Sequence, residues 1–170
     1  IHQGENALFT ECCYESDIPR LINEGYLSSV EILNSPVHVN LDDVKIVRGE
    51  YDQGQVGVKF DAIIADAVKD FKQLFQQHNI KSALIFASTI DNGQKIVDTY
   101  NNPNECRLAH GGLNNHERHK IIEWLTNSSG NRYLVNVGLY TRGFDYPALE
   151  SLVLLRATKS LRLYVQIIGR

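Results

Sequence analysis

Tyr133-Leu134-Val135-Asn136-Val137, the loop Gly138-Leu139-Tyr140-Thr141-Arg142-Gly143-Phe144-Asp145-Tyr146-Pro147, the run Ser151-Leu152-Val153-Leu154-Leu155, and the closing Ser160-Leu161-Arg162-Leu163-Tyr164-Val165-Gln166-Ile167-Ile168-Gly169-Arg170 form the stretch that decides the fold. Its two short aliphatic runs do not alternate, as expected of strands buried on both faces of a parallel sheet. The closing segment reads as a helix. Leu161, Tyr164, Val165 and Ile168 form its apolar face and Ser160 stands at its N-cap. Arg162, Gln166 and Arg170 recur every four residues and share another face. That face suits an anionic or polar ligand, and on spacing alone it reads as a solvated polar face.

Working outward, Ser82-Ala83-Leu84-Ile85-Phe86-Ala87 is another unalternating strand, followed by Ser88-Thr89 and a helix from Asp91 to Tyr100. In open α/β sheets ligands gather at the carboxyl ends of strands. Hydroxyls and free helix amides there suit a phosphate; Thr89 or Asp91 also reads as a plain helix cap. Asn104 to Ala109 is the next strand and ends at His110-Gly111-Gly112. The helix after it opens with Asn114 and Glu117 at capping-box spacing, buries Ile121, Ile122 and Leu125, and carries Trp124 at its edge. Residues 58–78 read as one helix with a stripe of Phe60, Ile63, Ile64, Ala67, Val68, Phe71, Leu74 and Phe75. Strand and helix therefore repeat, which predicts an α/β fold: a mostly parallel sheet with right-handed crossovers and helices on both faces.

Towards the N-terminus the pattern weakens. Residues 1–13 have none, beyond Leu8 and Phe9 tucking against the body. Ser16 or Asp17 caps a short helix with Pro19 in its first turn and Gly25 as its stop. Val30, Ile32, Val37, Val39 and Leu41 alternate as strands about an Asn34-Ser35-Pro36 turn, and Val44 and Ile46 continue them. Residues 51–57 read as a polar linker. The expected division is 1–57 as a helix-plus-strands extension with its linker, and 58–170 as the main domain.

The motifs carry a resemblance. Thr141 through Pro147 resembles motif V of the superfamily-two helicases, and Gln166-Ile167-Ile168-Gly169-Arg170 resembles the start of their motif VI, in the expected order and joined by a strand. Ser82 to Thr89 is similar to motif IV. His110-Gly111 with Glu117-Arg118 resembles the segment that follows it, and Ile18 to Leu27 a segment that precedes the second motor domain. The wording of Val135–Gly138 and Thr141–Pro147 is similar to RadD-like DNA helicases and to restriction-enzyme motor subunits.

The resemblance implies a RecA-like C-terminal domain over residues 58–170, belonging to an ATP-dependent DNA helicase or translocase of the DNA-repair kind. In that family ATP lies between two such domains and the nucleic acid crosses both. Gly143 would let the backbone approach the nucleotide, and Asp145 would stand near its sugar. Gln166 and Arg170 would be the catalytic pair in the cleft, with Arg170 at the γ-phosphate, where a guanidinium stabilises developing charge. Ser88, Thr89, His110, Gly111, Gly138 and Thr141 would meet the nucleic-acid strand. The implied partners are DNA and a first motor domain; ATP would bind with Mg2+ held by that first domain. The motif V position that is usually Thr is Val137, and the Asp after it is Gly138. Contact there falls to backbone or Thr141, since strand alternation turns Asn136 the other way.

The chain has 170 residues, enough for one well-packed domain and an appendage, with 43% hydrophobic and 22% charged residues, ordinary for a soluble globular protein. No apolar run approaches the roughly 20 residues of a membrane span, and Ile1-His2-Gln3-Gly4-Glu5 has no signal-peptide character. Three cysteines, Cys12, Cys13 and Cys106, with no C-x-x-C argue for reduced thiols in a cytoplasmic protein rather than disulfides or zinc. Of His110, His116 and His119 only the last two share a helix face, so no metal site is expected. A net charge of −3 excludes a generic basic nucleic-acid binder but permits a local phosphate site.

There is no G-x-x-x-x-G-K-[ST] and no Asp-Glu dipeptide, so this chain alone is not expected to hydrolyse ATP. The absence of methionine and the stop inside motif VI read as a piece of a longer protein. A small Rossmann-type enzyme lacks its G-x-G-x-x-G. The competing class is a RecA-like module that binds nucleic acid or protein without ATP chemistry.

Overall fold

The structure is a computed structural model that describes residues 17–127, 129–139 and 146–169. Leu8, Phe9, Cys12, Cys13 and Ser16 lie outside the described residues. The chain divides into two compact units, Ile1–Asn34 and Ser35–Arg170.

The first unit contains α1, Ile18–Asn23. Asp17 caps it by accepting the Arg20 amide at 2.7 Å, and Pro19 occupies the first turn, where its missing N–H is harmless. Gly25, at φ +79°, ends it, and the amides of Tyr26 and Leu27 turn back to the Leu21 carbonyl. The strands expected over 28–41 do not form. Alternation prepares a segment to pair, but a strand needs a partner, and Val30 and Ile32 remain 61% and 72% exposed.

The second unit opens with a hairpin, β1 Ile46–Val47 and β2 Glu50–Tyr51, paired antiparallel. Arg48 and Gly49 both have positive φ, as a two-residue hairpin turn that follows the strand twist requires. Helix α2, Gln53–Asp61, stands where a polar linker was expected. Asp52 caps it through the Gln55 amide at 3.0 Å, and Val56 and Phe60 anchor it in the core. The 58–78 segment is accordingly two helices: α2 ends at Asp61, and α3 spans Ile64–Gln77 with Ile64, Ala67, Val68, Phe71 and Phe75 buried.

Four parallel strands follow: β3 Ser82–Ala87, β4 Cys106–His110, β5 Arg132–Val137 and β6 Ser151–Leu155, in spatial order β4-β5-β3-β6. Between and after them lie α4 Ile90–Tyr100, α5 Asn115–Asn127 and α6 Leu161–Ile168. Successive β3 residues feed opposite cores. Ala83, Ile85 and Ala87 pack with α2, α3 and α4, while Leu84 and Phe86 pack with Trp124 and Leu125 of α5 and Ile167 of α6. All six β3 residues are buried. The α/β architecture, a parallel sheet with helices on both faces, is the one the strand-helix repetition predicts. Helix α4 lies especially close to the sheet: a Cβ on Gly93 would come within 2.7 Å of Leu108 Cδ1.

Two side-chain expectations change. Trp124 is buried rather than marginal, donating Nε1–H to the Asn104 carbonyl at 3.2 Å beneath the guanidinium groups of Arg107 and Arg132. Helix α6 turns Leu163 and Ile167 to the core, leaving Leu161, Tyr164 and Val165 at 74%, 40% and 48% exposure. Its sequence is apolar on both flanks, so periodicity alone does not choose between them. Among the described residues no helix is long and apolar enough to cross a membrane.

Candidate functional site

Because every strand of the large sheet runs the same way, all four carboxyl ends share one edge. Ala87 is in register with Leu155, and His110 with Val137. The structure thus brings Ser88, Thr89, His110, Gly111 and Gly138 to a single rim. Thr141, Gly143, Asp145 and Arg170 lie outside the described residues.

At the end of β3, Ser88 is buried and its hydroxyl donates to the Leu155 carbonyl at 3.3 Å, tying β3 to β6. Thr89, not Asp91, caps α4: its Oγ1 accepts the Asn92 amide at 3.1 Å and donates to Asn92 Oδ1 at 2.9 Å. Asn92, itself buried, donates Nδ2–H to the Gly57 carbonyl at 3.0 Å. A side chain at Gly57 would collide with Thr89, whose Cγ2 lies 2.7 Å from the position of an added Cβ. Glycine in α2 is therefore what lets α2 close against the start of α4.

At the end of β4, His110 Nδ1 accepts the Gly112 amide at 3.2 Å, and the Gly111 carbonyl accepts Arg118 Nη2 at 2.7 Å. Asn114 and Glu117 form the reciprocal capping box the spacing predicts, with bonds of 2.8 and 2.9 Å. At the end of β5, Gly138 takes φ +69° and is exposed. Asn136 is wholly buried, and its Oδ1 accepts the Leu139 amide at 3.2 Å, bracing the turn around Gly138. Nothing in the motif spacing points to this role. Its signal was a lone amide in an apolar strand immediately before a glycine loop.

After β6 come Arg156 to Ser160 and then α6, capped by Ser160 Oγ on the Leu163 amide at 3.2 Å. Gln166 is half-buried, beside exposed Val165 and buried Ile167. Burial holds the Arg156 guanidinium below its ordinary pKa, with the Glu50 carboxylate partly offsetting this. Burial likewise pushes the Cys106 thiol up to about 12, so it stays protonated and inert. Among the described residues no group of three His, Cys, Asp or Glu comes together to hold a metal.

The family described as the helicase conserved C-terminal domain matches residues 66–170. A Saccharomyces cerevisiae protein named "Putative ATP-dependent helicase IRC3" is 24% identical over 160 residues, which cover 92% of this chain and 23% of that protein. The chain thus spans less than a quarter of this relative's length. Among solved structures, T4 UvsW aligns with a TM-score of 0.55 at 18% identity, over 72% of this chain and 25% of that one. Mss116p DEAD-box helicase domain 2, bound to an RNA duplex, aligns with a TM-score of 0.54 at 21% identity, over 65% and 45%. These structural likenesses are of fold, and they agree with the parallel sheet and its helix layers. With the family match covering more than half of its length, the chain belongs to the helicase conserved C-terminal domain family.

Proposed function

We propose that this domain is the second motor domain of an ATP-dependent DNA helicase or translocase, completing an interdomain ATP cleft and gripping the nucleic-acid strand. The observation that carries the reading is the shared rim, on which the strand ends bearing Ser88-Thr89, His110-Gly111 and Gly138 stand together. Gly111 and Gly138 are exposed, and a Cβ on either would meet nothing within 4 Å, so the backbone there is open to a ligand. The Ser88 and Thr89 hydroxyls have internal partners. Contact with a phosphate at that point would then fall to the amides of exposed Ile90 and Asp91 in the first turn of α4.

In this reading residues 1–57 lead in from the first motor domain, which supplies the phosphate loop and the carboxylates that hold Mg2+. Gly143 and Asp145 border the nucleotide, and Gln166 and Arg170 face it from motif VI. Arg170 stabilises charge on the transferred phosphoryl group. ATP binding favours the closed pair of domains and hydrolysis the open one, so strand affinity alternates with nucleotide state. The isolated chain, without the first domain, is inactive. An RNA substrate is the second reading, favoured by the likeness to an Mss116p domain bound to an RNA duplex.

The test is ATP hydrolysis by the full-length parent with single-stranded DNA, duplex DNA or RNA, for wild type and Arg170→Ala. DNA-stimulated hydrolysis that falls by about 1,000-fold or more in the folded variant is expected. Hydrolysis stimulated by RNA alone overturns the DNA assignment. No hydrolysis with any nucleic acid overturns the motor and leaves a binding module.

A further inference from the structure

The hairpin that opens the large unit reaches across to the loop that launches α6. Glu50 of β2 places Oε2 on the Thr158 hydroxyl, which donates to it, while Oε1 accepts the Lys159 amide at 2.7 Å and the Tyr51 amide at 2.9 Å. Thr158 Oγ1 in turn accepts the Ser160 amide at 3.0 Å, and Ser160 Oγ accepts the Leu163 amide at 3.2 Å. Residue by residue, hydrogen bonds therefore link the hairpin through Thr158 and Ser160 to the first turn of α6. Two flanking side chains reinforce this link. Gln53 Nε2 reaches the Tyr51 carbonyl at 3.1 Å and the Ala157 carbonyl at 3.4 Å, and Lys159 Nζ stands 5.2 Å from the centre of the Tyr51 ring. Burial alone would raise the pKa of Glu50, but the bonds from Thr158 and the backbone amides outweigh it and hold the carboxyl below the ordinary range. The carboxylate also places negative charge beside the amino end of α6, where the helix dipole favours it.

Helix α6 needs such a hold. Leu163 and Ile167 pack it against the body, while Leu161 and Val165 leave its other flank open. With one flank packed and the other open, the hydrogen bonds at its first turn are a further constraint on how α6 sits.

We propose that Glu50 is a positioning residue: it latches the β6–α6 loop and thereby sets where Gln166 stands toward the nucleotide. The inference rests on the motor reading above. It assigns a part in ATP chemistry to a residue 109 positions before its amide partner Lys159, outside the segment 66–170 that matches the family.

The experiment uses the full-length parent with Glu50→Ala, Glu50→Gln and Thr158→Val. Amide hydrogen exchange at Lys159, Ser160 and Leu163 is expected to quicken by about tenfold in Glu50→Ala, with β3 and β5 unchanged. Nucleic-acid-stimulated kcat is expected to fall by about 10- to 100-fold, with the KM for ATP within about twofold, as for misplaced catalytic groups whose substrate still binds. Glu50→Gln, which keeps an acceptor for the Lys159 amide, falls between wild type and Glu50→Ala. Thr158→Val, which leaves the carboxylate in place, moves in the same direction as Glu50→Ala. Unchanged exchange in Glu50→Ala overturns the latch. Faster exchange with unchanged kcat overturns its link to catalysis. A parent that hydrolyses no ATP overturns the motor reading and the catalytic role with it, while the exchange result still decides whether the latch exists.

Discussion

Helices α4 and α6 follow neighbouring strands, β3 and β6, and both begin at a hydroxyl cap, Thr89 in one and Ser160 in the other. Beyond the cap they diverge. The start of α4 is sealed: Asn92 bonds Gly57 and Thr89, Ser88 bonds Leu155, and Gly93 presses against Leu108 and Val137. Helix α6 is held by a latch at its start and two side chains on one flank, with apolar residues facing outward on the other. Capping chemistry decides where a helix begins. What covers its flanks decides whether it serves as scaffold or as a presented surface.

The sharpest way to test that contrast is to cut the anchor of α6. Ile167→Ala removes a side chain only 2% exposed and is expected to destabilise the protein by about 3 kcal/mol in urea denaturation. A loss under about 1 kcal/mol would mean that α6 does not depend on this anchor. Asn92→Ala probes the seal of α4. It removes the bond to the Gly57 carbonyl and takes a partner from Thr89, an expected loss of about 2 kcal/mol, measured in the same titration. Leu161→Ser replaces a leucine that is 74% exposed and is expected to shift stability by no more than about 0.5 kcal/mol. A larger loss would show that the outward flank of α6 is already covered, and the comparison would fail.

Much of this was readable in advance, for identifiable reasons. The unalternating runs at Ser82–Ala87 and Tyr133–Val137 are legible as buried strands because coverage on both faces removes the need for polar alternation, whereas Ser151–Leu155 has the same pattern and forms the outer strand β6, with Leu154 39% exposed. The Asn114–Glu117 box and the Ser160 cap were legible because capping is local. Helix α2 was not. Gln53, Gly54, Gln55 and Gly57 look like linker, and the use of Gly57, close approach to Thr89, exists only after folding. Strands over 28–41 were expected from alternation, which carries no information about a partner. The buried face of α6 is ambiguous in sequence because Leu163 and Ile167 compete with Leu161, Tyr164 and Val165 on the same helix. At the rim, the strand ends bearing Ser88, His110 and Gly138 followed from the order of motifs. The bracing by Asn136 and the reach of Glu50 to Thr158 are tertiary contacts that no spacing encodes.

The strand order also sets a schedule for assembly. Ser82–Ala87 lies between β5 and β6, pairing Ser82 with Arg132 and Ala83 with Ser151. During synthesis this strand leaves the ribosome first and must wait for both neighbours, since a parallel pair needs a crossover segment before it can close. For that interval its two apolar faces and two unpaired edges are exposed together, the combination that invites aggregation or chaperone capture. This inner strand, all of whose residues are buried in the finished domain, is therefore left uncovered while the chain is being made.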